Sequence, residues 1–93
     1  MAKVREISKG IWAVYCPACD MNHHIWTDGD VKWSFNNDTN NPTFSPSIRV
    51  SGYNDKEQKL YVCHFHIING TIQYCSDCTH ELKDTTKELI EIK

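Results

Sequence analysis

A chain of 93 residues, 40% hydrophobic and 11% aromatic, has enough apolar side chain for one small core and too much for a disordered segment. Its 10 basic and 12 acidic residues leave a net charge of −2, which argues against a surface that grips phosphates by counterion release, so nucleic acid is not an expected partner. No apolar run is long enough to span a bilayer and the N-terminus lacks a secretory pattern, so the expected location is a reducing cytoplasm.

In chain order, residues 4–7 and 11–15 read as short strands around a turn at Ser8-Lys9-Gly10. The second of these leads directly into Cys16-Pro17-Ala18-Cys19, and residues 23–27 form the returning strand, closed by Asp28-Gly29-Asp30. Residues 31–35 alternate apolar and polar, which turns Val31, Trp33 and Phe35 toward the core. A polar loop over 36–42 opens an irregular segment, Pro42-Thr43-Phe44-Ser45-Pro46-Ser47, read as an edge or a crossing loop because proline donates no ladder hydrogen bond. It serves either to protect an edge or as a rigid recognition loop. Strand character resumes at 48–50 and runs to Gly52, followed by a charged connection over 54–59.

Asn69-Gly70 is the strongest hairpin signal in the chain, flanked by strands at 60–68 and 71–75. With these two residues as the turn, Ile68 pairs with Thr71, Phe65 with Tyr74, His64 with Cys75 and Cys63 with Ser76. That register brings Cys63 to the end of the hairpin that carries Asp77-Cys78-Thr79-His80, and puts His64 on the opposite face beside Cys75. Glu81-Leu82-Lys83-Asp84 reads as a turn and 87–92 as a last strand in preference to a short helix. Trp12, Trp26, Trp33, Tyr61, Phe65 and Tyr74 are the expected core aromatics. The expected fold is a single mostly β domain over residues 1–93, an antiparallel ribbon or roll with at most a short helix.

Five cysteines suit a disulfide framework poorly, and Cys16-Pro17-Ala18-Cys19 has the two-residue gap that lets one turn offer two sulfurs to one ion. A structural zinc ion takes four such donors in a tetrahedron, and a domain this small gains much from a metal staple. The expected cofactor is therefore Zn2+, held by Cys16, Cys19, Cys63 and Cys78. Cys75-Ser76-Asp77-Cys78 repeats the two-residue gap, so Cys16, Cys19, Cys75 and Cys78 form the competing set. His23, His64 and His80 each sit beside an expected ligand, and His64 or His80 is the best replacement for a cysteine. Alternatively the histidines form a polar site beside the metal, with Asp77 orienting an imidazole.

Several motifs recur here in a fixed order. They are Cys16-Pro17-Ala18-Cys19 with His23, Trp33-Ser34-Phe35, Pro42-Thr43-Phe44-Ser45-Pro46-Ser47, Cys63-His64-Phe65-His66, and the run from Gly70 through Asp77-Cys78-Thr79-His80. The set resembles a family of small phage and bacterial proteins of unknown function, many carrying the label "ammonia monooxygenase". The resemblance covers roughly residues 11–80. It implies a zinc-binding β domain, often phage-encoded, with a bacterial branch associated with ubiquitin-like conjugation operons. It also makes Cys75 the odd cysteine, since an apolar residue is expected there. The monooxygenase label fits poorly, because such enzymes are membrane-embedded and this chain has no spanning segment.

Two functions follow. A closed four-donor shell leaves no open metal position, which favours a zinc-held protein-interaction module whose partner is another protein, a host protein if the chain is phage-encoded. A shell of three ligands and a water would instead make a small zinc-dependent hydrolase, with His64, His80 or Asp77 moving protons.

Overall fold

The first part of the chain forms a three-stranded antiparallel meander. The computed structural model describes residues 2–29 and 33–92. Strands β1 (Val4–Ser8), β2 (Ile11–Cys16) and β3 (Met21–Trp26) lie in the order β1-β2-β3. In β3 the alternation is direct: His23 and Ile25 are buried while Asn22, His24 and Trp26 are not. Gly10 closes the first hairpin at φ +76°, where a Cβ would stand 2.5 Å from the Cβ of Asp28, so only glycine fits.

The second sheet is a five-stranded antiparallel meander of β4 (Ser34–Phe35), β5 (Phe44–Asn54), β6 (Lys59–Ile68), β7 (Thr71–Tyr74) and β8 (Thr86–Glu88), in chain order. The β6–β7 register is the expected one, with Ile68 opposite Thr71 and Phe65 opposite Tyr74. Asn69 and Gly70 both take positive φ, at 49° and 77°, as a two-residue turn of this type demands. The Cys75 N–H donates to the His64 carbonyl at 2.9 Å, which carries the pairing one step past the strand end.

Both sheets feed one core. Val4, Val14 and Ile25 come from the first, and Phe44, Ile48, Phe65, Ile67 and Ile72 from the second. The chain is mostly β, and no helix occurs among the described residues. None of them forms a helix long and apolar enough to cross a membrane.

Three expectations are corrected. Trp26 is 44% exposed and not a core residue, because in β3 it shares the outward face with His24, whereas Phe44 is buried to 1%. The segment around Pro46 is not a crossing loop: it lies within β5, whose Phe44 and Ser45 pair with β4 and which pairs with β6 on the other side. Proline is tolerated there because the β5–β6 register shifts between Phe44 and Ile48, and a bulge needs no ladder donor. The strand expected over 87–92 is shorter and shifted, ending at Glu88. Thereafter the backbone follows other partners, with the Leu89 N–H on the Gly70 carbonyl and the Ile92 N–H on that of Ala2. Val31 lies outside the described residues, while Trp33 and Phe35 pack against the core as expected.

Candidate functional site

The turn after β2 and the middle of β6 bring one set of donors together. Cys16, Cys19, His23 and Cys63 place one ligand atom each within 4.8 Å of one another. Cys16 ends β2, Cys19 lies in the following turn, and His23 comes back on the buried face of β3. Cys63 arrives from the other sheet. The Cys16 and Cys63 sulfurs are 3.8 Å apart. Two sulfurs each about 2.3 Å from a tetrahedral ion are separated by roughly that same distance.

The surroundings also suit a cation. His23 is 4% exposed, and its Nε2 is buried with no hydrogen-bond partner. An orphaned imidazole nitrogen beside three thiols is costly unless it binds something. The Cys16 thiol is held far below the ordinary thiol value, chiefly by a hydrogen bond from Cys63, with His23 and Tyr74 helping. Burial pushes the Cys19 thiol up, and the Cys16 charge adds to that. The hydrogen bond to Cys16, with burial, pushes up Cys63, and burial followed by the hydrogen bond to Cys16 pushes up Tyr74, whose hydroxyl lies 3.1 Å from the Cys16 sulfur. Negative charge on Cys16 thus opposes ionisation of the neighbouring thiols. A bound divalent ion inverts that balance and deprotonates its thiols. This set of residues can hold a metal ion.

Cys78, expected as the fourth donor, is buried, but its sulfur is engaged by the backbone of β6. It accepts the His64 N–H at 3.3 Å and donates to the His64 carbonyl at 3.1 Å. His80, another expected candidate, accepts the Leu82 N–H on Nδ1 and sets its ring edge-on to Tyr74. Its Nε2 is buried without a partner.

The opposite face of β6 carries a second arrangement. His64 Nε2 lies 2.9 Å from the Ser47 hydroxyl, and its Nδ1 lies 3.0 and 3.1 Å from the two carboxylate oxygens of Asp77. With the Nδ1 proton donated to Asp77, the Nε2 lone pair faces the Ser47 O–H. A hydroxyl, an imidazole and a carboxylate in line are the parts of a base-activated nucleophile. Ser47 reaches this position because the β5 bulge sets it beside Arg49, the residue that pairs with His64. The Trp33 indole N–H donates to the Ser47 carbonyl at 3.1 Å and fixes the backbone that bears the hydroxyl. Asp77 comes from the turn after β7. Of the expected polar site, His64 and Asp77 therefore come together, Cys75 joins them, and His80 stands elsewhere.

Ser47 was not singled out by sequence reasoning. It closes the motif Pro42-Thr43-Phe44-Ser45-Pro46-Ser47, yet no glycine-flanked elbow marks it as a nucleophile, and its partners lie 17 and 30 positions away. The only local signal is a serine after a proline in a strand that should not tolerate one.

No curated protein and no solved structure gives a significant match to the chain. Residues 2–75 do match a family model, that of the bacterial ubiquitination-like system serine protease BubE, a span that includes the thiol and imidazole group, Ser47 and His64. By that match over most of its length, the chain belongs to the BubE family.

Proposed function

We propose that this protein is a serine hydrolase that cuts an amide or ester bond at the carboxyl end of a ubiquitin-like modifier, with Ser47 as nucleophile, His64 as general base and Asp77 as the group that orients it. The observation that carries the reading is the unbroken row from Ser47 through His64 to Asp77. The family name supplies the setting, a bacterial ubiquitination-like system, and the word protease.

In this reading the Ser47 oxygen attacks the scissile carbonyl carbon while His64 Nε2 takes the hydroxyl proton. His64 then delivers that proton to the departing amine or alcohol. Water hydrolyses the acyl-serine by the same path in reverse. Asp77 keeps the Nδ1 proton in place and stabilises the imidazolium that forms. The protein partner expected from the sequence becomes the substrate, and the hydrolase needs no metal in its chemical steps.

Zinc has a separate role. Cys16, Cys19, His23 and Cys63 would hold it, and it supplies fold stability by tying the β2–β3 hairpin to β6. Three sulfurs and one nitrogen form a common closed zinc shell. A serine-directed fluorophosphonate tests the catalytic reading: it should label wild-type protein on Ser47 and leave Ser47→Ala unlabelled. Labelling that persists in Ser47→Ala, or cleavage of a modifier fusion that survives it, would remove Ser47 from the chemistry.

A further inference from the structure

Cys75 has no part in the proposed zinc shell, yet it stands beside the proposed catalytic row. Cys75, His64 and Asp77 offer one sulfur, one nitrogen and one carboxylate oxygen, all within 4.8 Å of one another. None of the three belongs to the Cys16 group. Their environment differs from that group as well: Cys75 and His64 are partly buried and Asp77 is exposed, so an ion can enter from solvent. The carboxylates of Asp77 and Asp84 both act on the Cys75 thiol, making the locality electronegative.

We propose that His64, Cys75 and Asp77 form a second, inhibitory site for a thiophilic divalent cation of the zinc class. The donor set has the chemistry of an open zinc site, in which three protein ligands of mixed sulfur, nitrogen and oxygen type leave the fourth position to water. Asp77 already turns both oxygens to His64 Nδ1, so the lone pairs an ion needs are at hand. Coordination uses the Nδ1 lone pair, which forces the imidazole proton onto Nε2. That nitrogen then donates toward Ser47 and cannot accept its proton. The Cys75 thiol gives up its proton to solvent, and the Asp77 hydrogen bond to His64 is replaced by a metal bond. The enzyme is off while the ion is bound and recovers when it leaves.

The site regulates the hydrolase, so the proposal rests on the Ser47 reading, but its binding can be measured apart from activity. Wild-type protein carrying its first metal is titrated with zinc alone, then in parallel with cadmium alone. Metal content and the ultraviolet thiolate-to-cadmium band report binding, and fluorophosphonate labelling reports Ser47. A second equivalent should bind and suppress labelling, and excess chelator of modest affinity should restore it. Cys75→Ala should keep the first equivalent, which shows that it is folded, and should label normally. Its second-site affinity should fall by roughly 10- to 100-fold or more. Cys75→Ser, with its harder oxygen donor, should behave similarly toward cadmium. A single equivalent in wild-type protein at millimolar zinc overturns the proposal, and so does unchanged inhibition of Cys75→Ala. Should wild-type protein fail to label even without added metal while still binding the second equivalent, the Ser47 reading fails and the cation site stands.

Discussion

Cys63 and His64 are consecutive residues of β6, yet one is sealed in the core at 0% exposure while the other has a quarter of its side chain in solvent. Strand alternation separates them onto opposite faces, so a single strand carries a buried donor group on one side and the Ser47, His64 and Asp77 row on the other. The two sites obey different rules. The buried group keeps water away from a shell of thiols, and what it gains is a fixed structure. The row on the outer face is open to solvent, with Asp77 half exposed, as the proposed hydrolysis requires. Exposure at the row and closure at the thiols are two requirements met by one register.

That separation makes predictions that rank by size. Ser47→Ala should abolish covalent labelling and lower hydrolysis by at least roughly a thousandfold, with metal content and melting unchanged. Metal loss in this variant would mean the two faces are coupled. Cys16→Ser and His23→Ala should act in the opposite sense. Both should release the metal and broaden or abolish cooperative melting, since binding and folding are linked. Metal analysis and calorimetry check this, and a sharp transition in metal-free Cys16→Ser would show that the shell is not a staple.

Asp77→Asn should keep its metal and lower kcat by roughly 10²–10⁴-fold through loss of the correct His64 tautomer. The exposed setting of Asp77 places the expected value toward the small end. A loss below threefold would show that solvent orients His64 without it. Trp33→Phe removes one neutral hydrogen bond to the Ser47 carbonyl and keeps most of the ring. About 1 kcal/mol of lost positioning corresponds to roughly a fivefold fall in kcat with KM little changed. A change confined to KM would place Trp33 in substrate binding. The smallest effect is expected at Cys78, whose sulfur is occupied by the His64 backbone. Cys78→Ala should retain the metal fully and lose about 1–2 kcal/mol of stability by denaturant titration. Metal release would return Cys78 to the ligand shell in place of His23.

Much of the fold was legible along the chain because it is local. Asn69-Gly70 dictates its turn and therefore the register of β6 on β7, which alone puts His64 beside Cys75 and away from Cys63. The aromatic and β-branched run at 11–15, the returning strand at 23–27 and the cysteine pair between them specify the β2–β3 hairpin and two thiols that meet at its end. Those features depend on spacings of a few residues and on the period of a strand. What lay beyond the sequence depends on contacts between segments far apart in it. The fourth donor of the buried group is decided by which face of β3 packs on β6, which brings His23 against Phe65. The register of β7 leaves the Cys78 sulfur against the backbone. Ser47 needed the most tertiary information of all. Nothing within its own motif supplies a base, and only a shifted register in β5, a ring nitrogen from β6 and a carboxylate from the turn after β7 give this hydroxyl the partners that the proposed nucleophile needs. A serine hydroxyl has little reactivity of its own, so its function resides in the geometry of its partners, and that geometry exists only once the strands have paired.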